Sequence, residues 1–441
     1  MASIAREALH ALSGQGAGKF VAVGAWTVLL SWVAQRLDKI EFGMFMLLVN
    51  IVTFAVIFAG FGQPQVILYV NGRLGKKYRG VVHFGNLVQS MRVIVPAALL
   101  VSLLTGCFVA MTLSDAAVAS AAIACTTWVL FTTWQNFLAE EAKTISKFWL
   151  TGFLGTSGGV GGAVATSVTL GILITWDAHG QTRVDLLASV VALAAGAALS
   201  ATMLIGWLIA DWRSHRERER AHPRGPLRLN DPVRLGAVAT MNAGLTFIVG
   251  YSDLWFVSAN FGLEQSGVYG IAAYLARFGS LISILMSAAF ANRFAGMLAR
   301  GEVIQLSLEV RRIALIASSG SLVVLFFLLI TFETGILSTF FRLQGNNAYQ
   351  ILIVLAIGHL IGSLFGFGPV LLGVAGRFSD LLKITVVTAA ITLVLAVLLS
   401  NHFGTVGVAI AYSAGYVLFT YICHRSCRLN LRISPFSNLQ A

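Results

Sequence analysis

Two ionisable residues stand inside apolar stretches long enough to cross a membrane: Asp253 in residues 235–258 and Arg277 in residues 267–290. At about 1.5 Å of helical rise per residue, each stretch covers the roughly 30 Å hydrocarbon core of a bilayer. The turn between them is read as residues 259–266, which puts Asp253 about 10 Å and Arg277 about 15 Å below it. A lone Asp or Arg at mid-span costs about 2.5–3.5 kcal/mol on insertion scales, so such side chains face a partner or a water-filled cavity. Three chemistries are open to the pair. Arg277 has a permanent charge and a fork of donors suited to phosphate or carboxylate. Asp253 can take up a proton or a cation during a transport cycle. Alternatively the two simply neutralise each other and tie two helices together.

The elements that must position these residues follow from composition. Of 441 residues, 57% are hydrophobic and 11% charged, and the mean hydropathy is +0.82, whereas soluble domains carry about a quarter charged residues. The chain therefore reads as an all-α polytopic membrane protein with little mass left for a soluble catalytic domain. Twelve spans are predicted, at 17–37, 43–70, 93–113, 115–139, 148–174, 186–210, 235–258, 267–290, 312–333, 349–373, 381–400 and 404–424. With this count, 25 of the 30 Lys and Arg residues fall on one side. Arg36, Lys39, Arg183 and Arg342 fall on the other, and Arg277 lies within the membrane. The positive-inside rule makes the rich side cytoplasmic, with both termini there. The net charge of +12 is thus an orientation signal, and no nucleic-acid partner is expected.

Several local signals refine this picture. Residues 1–19 put Ile4, Ala5, Ala8, Leu9 and Leu12 on one helical face, which predicts a short interfacial helix. In the second span, GFGQPQ brings Pro64 close to Gly60 and Gly62, and Pro369 in GFGPVLLGVAGR repeats the device; both are candidate hinges. The fifth span holds GTSGGVGGA, whose small-xxx-small spacing allows close helix approach. His359 reads as a hydrogen-bonded packing residue. Cys107, Cys125, Cys423 and Cys427 read as apolar packing residues, and no metal or cofactor is expected. The basic, proline-broken stretch 211–234 divides the chain into lobes 1–210 and 235–441. A shift of 224 residues brings WVAQRLDKIEFGMFMLLV onto WFVSANFGLEQSGVYGIA, aligning Gly43 with Gly267 and Phe45 with Tyr269. Each half has six spans, so the repeat is parallel and the expected architecture is two pseudo-symmetric six-helix lobes around a central cavity.

The segments SGQGAGKF, EFGMF, FGQPQ and YSDLWFVSANFGLEQSGVYGIAAYLARF resemble the polysaccharide, or O-antigen-type, flippases of the multidrug/oligosaccharidyl-lipid/polysaccharide exporter superfamily. The resemblance extends over the whole chain in length and span count, with its motifs mainly in spans one, two, seven and eight. It implies two lobes that alternate between inward-open and outward-open states. The implied cargo is a polyprenyl-pyrophosphate-linked oligosaccharide, carried to the periplasmic leaflet of a bacterial inner membrane for surface polysaccharide synthesis. Membrane lipids and a polysaccharide polymerase or export complex are the implied partners.

An anionic headgroup cannot cross hydrocarbon unaided, so cationic and hydrogen-bonding residues are the candidates to hold it. Arg277 is the first, with Arg36 and Arg92 nearer the membrane faces. Asn50, Tyr274 and Asn242 are candidate sugar contacts, and Asp253 is the coupling or ion-pair residue. A multidrug-cation antiporter of the same architecture is the alternative. It should prefer acids in its cavity, whereas Asp38, Glu41, Asp115, Asp177 and Asp185 of the first lobe lie at span ends. A membrane glycosyltransferase or polymerase would want a large external loop with carboxylates; the longest external connection, 334–348, has none.

Overall fold

The computed structural model describes residues 16–67, 81–112, 118–144, 147–155, 162–178, 185–219, 232–341, 343 and 345–433, and its regular elements there are all helices. In chain order they are α1 (Ala17–Arg36), α2 (Lys39–Ala59), α3 (Val81–Thr112), α4 (Val118–Thr144), α5 (Phe148–Leu154), α6 (Ala163–Ala178), α7 (Leu186–Glu219) and α8 (Pro232–Tyr251). There follow α9 (Asp253–Phe261), α10 (Leu263–Ala276), α11 (Phe278–Ala299), α12 (Val303–Glu333), α13 (Ile336–Phe341), α14 (Asn346–Phe365), α15 (Gly368–Val374) and α16 (Phe378–Leu431).

Among the described residues, eight helices are long and apolar enough to cross a membrane, or nine if the bent pair α10 and α11 is one span. That tally takes the 54-residue α16 once, although it is about 80 Å of helix at 1.5 Å per residue. Gly404 interrupts it with φ 58° and ψ −138°, a conformation open to glycine, and so separates the two last predicted spans. Leu103, Val323 and Phe326 are each more than half exposed, as expected of side chains that face lipid. Hydroxyls on these apolar helices return to their own backbone, as Thr133 does to the Val129 carbonyl at 2.7 Å.

The chain divides into two compact units, residues 1–37 with 48–244 and residues 38–47 with 245–441. The start of α2 thus belongs with the second half of the sequence. There it meets α10 at the two glycines that the repeat aligns. A Cβ on Gly43 would stand 1.9 Å from the Leu263 carbonyl oxygen, and one on Gly267 would stand 3.4 Å from the Gly43 nitrogen. Phe45 and Tyr269, the other aligned pair, are both buried. Lys39 and Glu264 close the crossing with an exposed ion pair at 2.8 Å.

Several expectations are corrected. The fifth span is not one helix: α5 ends at Leu154, Gly155 is extended (φ −78°, ψ 160°), and α6 starts at Ala163. Glycine is a poor helix former, and a Cβ at Gly162 would lie 2.5 Å from the Gly155 carbonyl, so the end of α5 and the start of α6 approach closely at these two glycines. The linker is shorter than 211–234, because α7 continues to Glu219 and α8 begins at Pro232, where a missing N–H costs nothing. Of the interfacial helix expected at 1–19, residues 1–15 lie outside the described residues, while Lys19 is buried in α1. Pro64 and Pro369 do not kink continuous helices. The chain breaks before each, at residues 60–62 and at Gly366 and Phe367, and each proline stands in the first turn of the helix that follows.

Candidate functional site

The hairpin that carries Asp253 and Arg277 is tighter than residues 259–266. It turns at Gly262 alone, whose φ of +83° favours glycine. Asp253 is therefore about 14 Å and Arg277 about 22 Å of helix rise below the turn. Both charges coincide with interruptions in their helices. Ser252 separates α8 from α9, making Asp253 the first residue of α9. Arg277 separates α10 from α11, which bend by 47° there.

A broken helix leaves carbonyls short of backbone donors inside a membrane, and side chains add hydrogen bonds around both breaks. Ser280 Oγ donates to the Arg277 carbonyl at 2.9 Å, and Ser321 Oγ to the Gly279 carbonyl. Ser252 Oγ donates to Ile248 O at 2.8 Å, so the 2.7 Å contact with the Tyr412 hydroxyl is one in which Tyr412 donates. Arg277 Nη2 donates to the Gly250 carbonyl at 3.1 Å and lies 3.5 Å from Asp253 Oδ1. Helical side chains lean toward their own N-terminus, which is how the deeper Arg277 reaches up to Asp253. Its guanidinium also lies 4.2 Å over the Tyr251 ring, within cation–π range.

Around this pair, within the second unit, is a cavity of about 220 Å³. Arg277, Asp253, Tyr251, His359, Tyr412 and Tyr416 line it, with Thr246, Ser280 and Ser413 adding hydroxyls. The Asp253 side chain is 3% exposed and that of Arg277 24%. His359 packs its ring against Tyr416 at 5.0 Å, but its buried Nδ1 has no hydrogen-bond partner, so it packs without the bond expected of it. The cavity is small. At about 30 Å³ per water it holds an ion with a few waters, and it is below the roughly 300–1,000 Å³ of ordinary ligand pockets.

The other candidates do not converge on this cavity. Arg36, Arg92, Asn50 and Asn242 belong to the first unit. Arg36 pairs with Asp177 at 2.6 Å and lies 5.3 Å from the Trp32 ring. Arg92 is exposed on α3, and Asn50 is buried on α2. Tyr274 shares the unit of Arg277 but stands edge-on to Phe278 at 5.0 Å. With both partners more than a third exposed, Arg36→Ala is expected to cost about 0.2–1 kcal/mol, read as a small fall in Tm. A transport loss out of proportion to that fall assigns Arg36 to cargo handling.

Sequence reasoning missed Tyr412 and Tyr416, although their four-residue spacing puts two polar aromatics on one face of the last span. It also passed over Glu140 and Glu141 in α4. Glu140 pairs with Lys143, close to the buried Lys19, and Glu141 is buried. The cysteines are free, and Cys427 Sγ lies 3.4 Å from the Gly368 carbonyl. No group of three His, Cys, Asp or Glu side chains suited to a metal occurs among the described residues.

No family model matches the sequence, and no curated protein sequence is similar to it. Solved structures are similar across nearly the whole chain. The Vibrio cholerae MATE transporter VcmN in its bent form aligns at TM-score 0.64 and 14% identity, over 98% of both chains. A multidrug resistance MATE family transporter of the MOP superfamily aligns in its outward-facing conformation at 0.65 and 14%, over 96% of this chain and 95% of that one. A transporter of the same description in its inward-facing conformation aligns at 0.64 and 14%, over 98% and 100%. At this identity the likeness is one of fold. The chain is a multi-pass helical protein with the fold of MATE transporters.

Proposed function

We propose that this chain is a secondary transporter that works by alternating access, with the cavity around Asp253 and Arg277 as its ion-coupling centre. The observation that carries the reading is an ion pair placed at two helix interruptions and lining a partly open cavity of ion-and-water size, in a chain of transporter fold. Interrupted helices at mid-membrane offer carbonyls and side chains to coupling ions. The concentration of basic residues on one side supports cytoplasmic termini, and the motif resemblance supports a bacterial inner membrane as the setting.

For the cargo, two readings each have an observation in their favour. The whole-chain likeness to multidrug MATE transporters favours export of cationic drugs. The motif resemblance favours a polyprenyl-pyrophosphate-linked oligosaccharide moved to the periplasmic leaflet, together with a polymerase or export complex that receives it. Charge pairing supports the second reading. Asp253, Glu140 and Glu309 are each matched by a basic side chain, so a cationic drug would have to displace a resident basic group to reach any of these acids.

Expression in two strains separates the readings, one lacking its lipid-linked-oligosaccharide flippase and one lacking its drug exporters. Restored surface glycan without drug resistance is the expected result. Resistance without glycan assigns the cargo to drugs, and neither effect overturns the transporter reading.

A further inference from the structure

Asp253 and the Gly250 carbonyl together form a donor set of the kind oxygen-seeking monovalent cations take. One is an acidic side chain, and the other is a backbone oxygen at a helix interruption. The Tyr251 ring face, which also attracts cations, completes the surround. A site for a divalent metal would want more carboxylates, and no such cluster occurs among the described residues.

In this chain the set is engaged by a side chain. Arg277 Nη2 contacts both the Gly250 oxygen, at 3.1 Å, and Asp253 Oδ1, at 3.5 Å, while the guanidinium covers the Tyr251 ring. The hold is loose. A separation of 3.5 Å is at the limit of a hydrogen bond, and among the described residues every side-chain hydrogen bond of Arg277 leaves from the one nitrogen. The guanidinium has three nitrogens with five N–H donors, and the cavity beside it gives it room to withdraw.

We infer that Arg277 is the resident cation of this site: its guanidinium stands where a sodium-like ion would sit between Asp253 and Gly250, so an external cation enters only when the guanidinium has left. The inference deepens the coupling reading and rests on it for its consequence. Anything that draws Arg277 away, such as an anionic group on the cargo, leaves Asp253 uncompensated, and the site then recruits a cation from solution. Cargo and ion are thereby linked through one side chain that cannot dissociate.

The test is direct cation binding by the purified full chain in detergent, independent of any cargo. Tm is measured in sodium chloride against N-methyl-glucamine chloride at equal ionic strength. The wild type and Arg277→Lys, which keep a tethered cation, are expected to show no sodium-specific shift. Arg277→Ala and the bulkier Arg277→Met vacate the site and are expected to gain about 3 °C at sodium a hundred times over Kd. Adding Asp253→Asn to either should abolish that gain. An equal sodium shift in the wild type, or no shift in either vacated variant, overturns the inference. Arg277→Met keeps the stem's packing and so carries the test if Arg277→Ala elutes as aggregate. A sodium shift that appears as expected in a protein moving neither glycan nor drug upholds the site while removing the transport reading.

Discussion

Asp253→Ala is expected to lower stability by about 3–5 kcal/mol, because it leaves the Arg277 guanidinium without its counter-charge in a largely desolvated place. The measurement is Tm of the detergent-solubilised chain, with transport assayed in parallel. Two features make the cost large. The carboxylate is almost wholly buried, and the Gly250 carbonyl cannot replace its charge. Asp253→Ala combined with Arg277→Met should recover much of the stability, since a buried ion pair is often replaced by apolar groups at little cost. It should not recover transport. This split separates a structural tie from a coupling role. If the double variant transports, the pair only fastens α8 and α9 to α10 and α11. If Asp253→Ala alone is as stable as wild type, the pair holds nothing together.

Among the described glycines outside that site, Gly43→Ala should be the most damaging one-carbon change. The added Cβ would meet the Leu263 carbonyl oxygen at 1.9 Å, and the obstacle is backbone, which cannot swing aside as a side chain does. A loss of about 3 kcal/mol is expected, at the upper end for overpacking, with a lower yield of monodisperse protein. Gly24→Ala is the control. It lies within α1 with nothing within 4 Å of the new carbon, so it should be neutral or stabilise by up to about 1 kcal/mol. Equal behaviour of the two variants would mean that α2 and α10 do not cross at these glycines.

The reach of sequence reasoning here has a physical pattern. The ion pair was legible because charge inside hydrocarbon has few tolerable arrangements, and two such residues in adjacent spans point at each other. The hairpin at Gly262 was misjudged by several residues because polar positions such as Asn260, Glu264 and Gln265 look like loop, yet α9 and α10 run up to the glycine from both sides. Arg36 and Arg92 had the right chemistry for a phosphate, but nothing in their neighbourhood of the chain signals Asp177, which lies 141 positions away from Arg36. Tyr412 and Tyr416 were overlooked because a tyrosine in a span is ordinarily interfacial, and only packing shows these two lining the cavity beside Arg277.

Hydropathy and the placement of basic residues alone determined a helical, many-span membrane protein. Lipid admits few backbone solutions, and charge asymmetry sets topology locally along the chain. What only the tertiary structure decided is where helices are interrupted, which partner takes each freed carbonyl, and that residues 38–47 join the second unit. Those choices depend on side chains brought together from distant parts of the sequence, where steric fit and unpaired polar groups, rather than composition, set the energy.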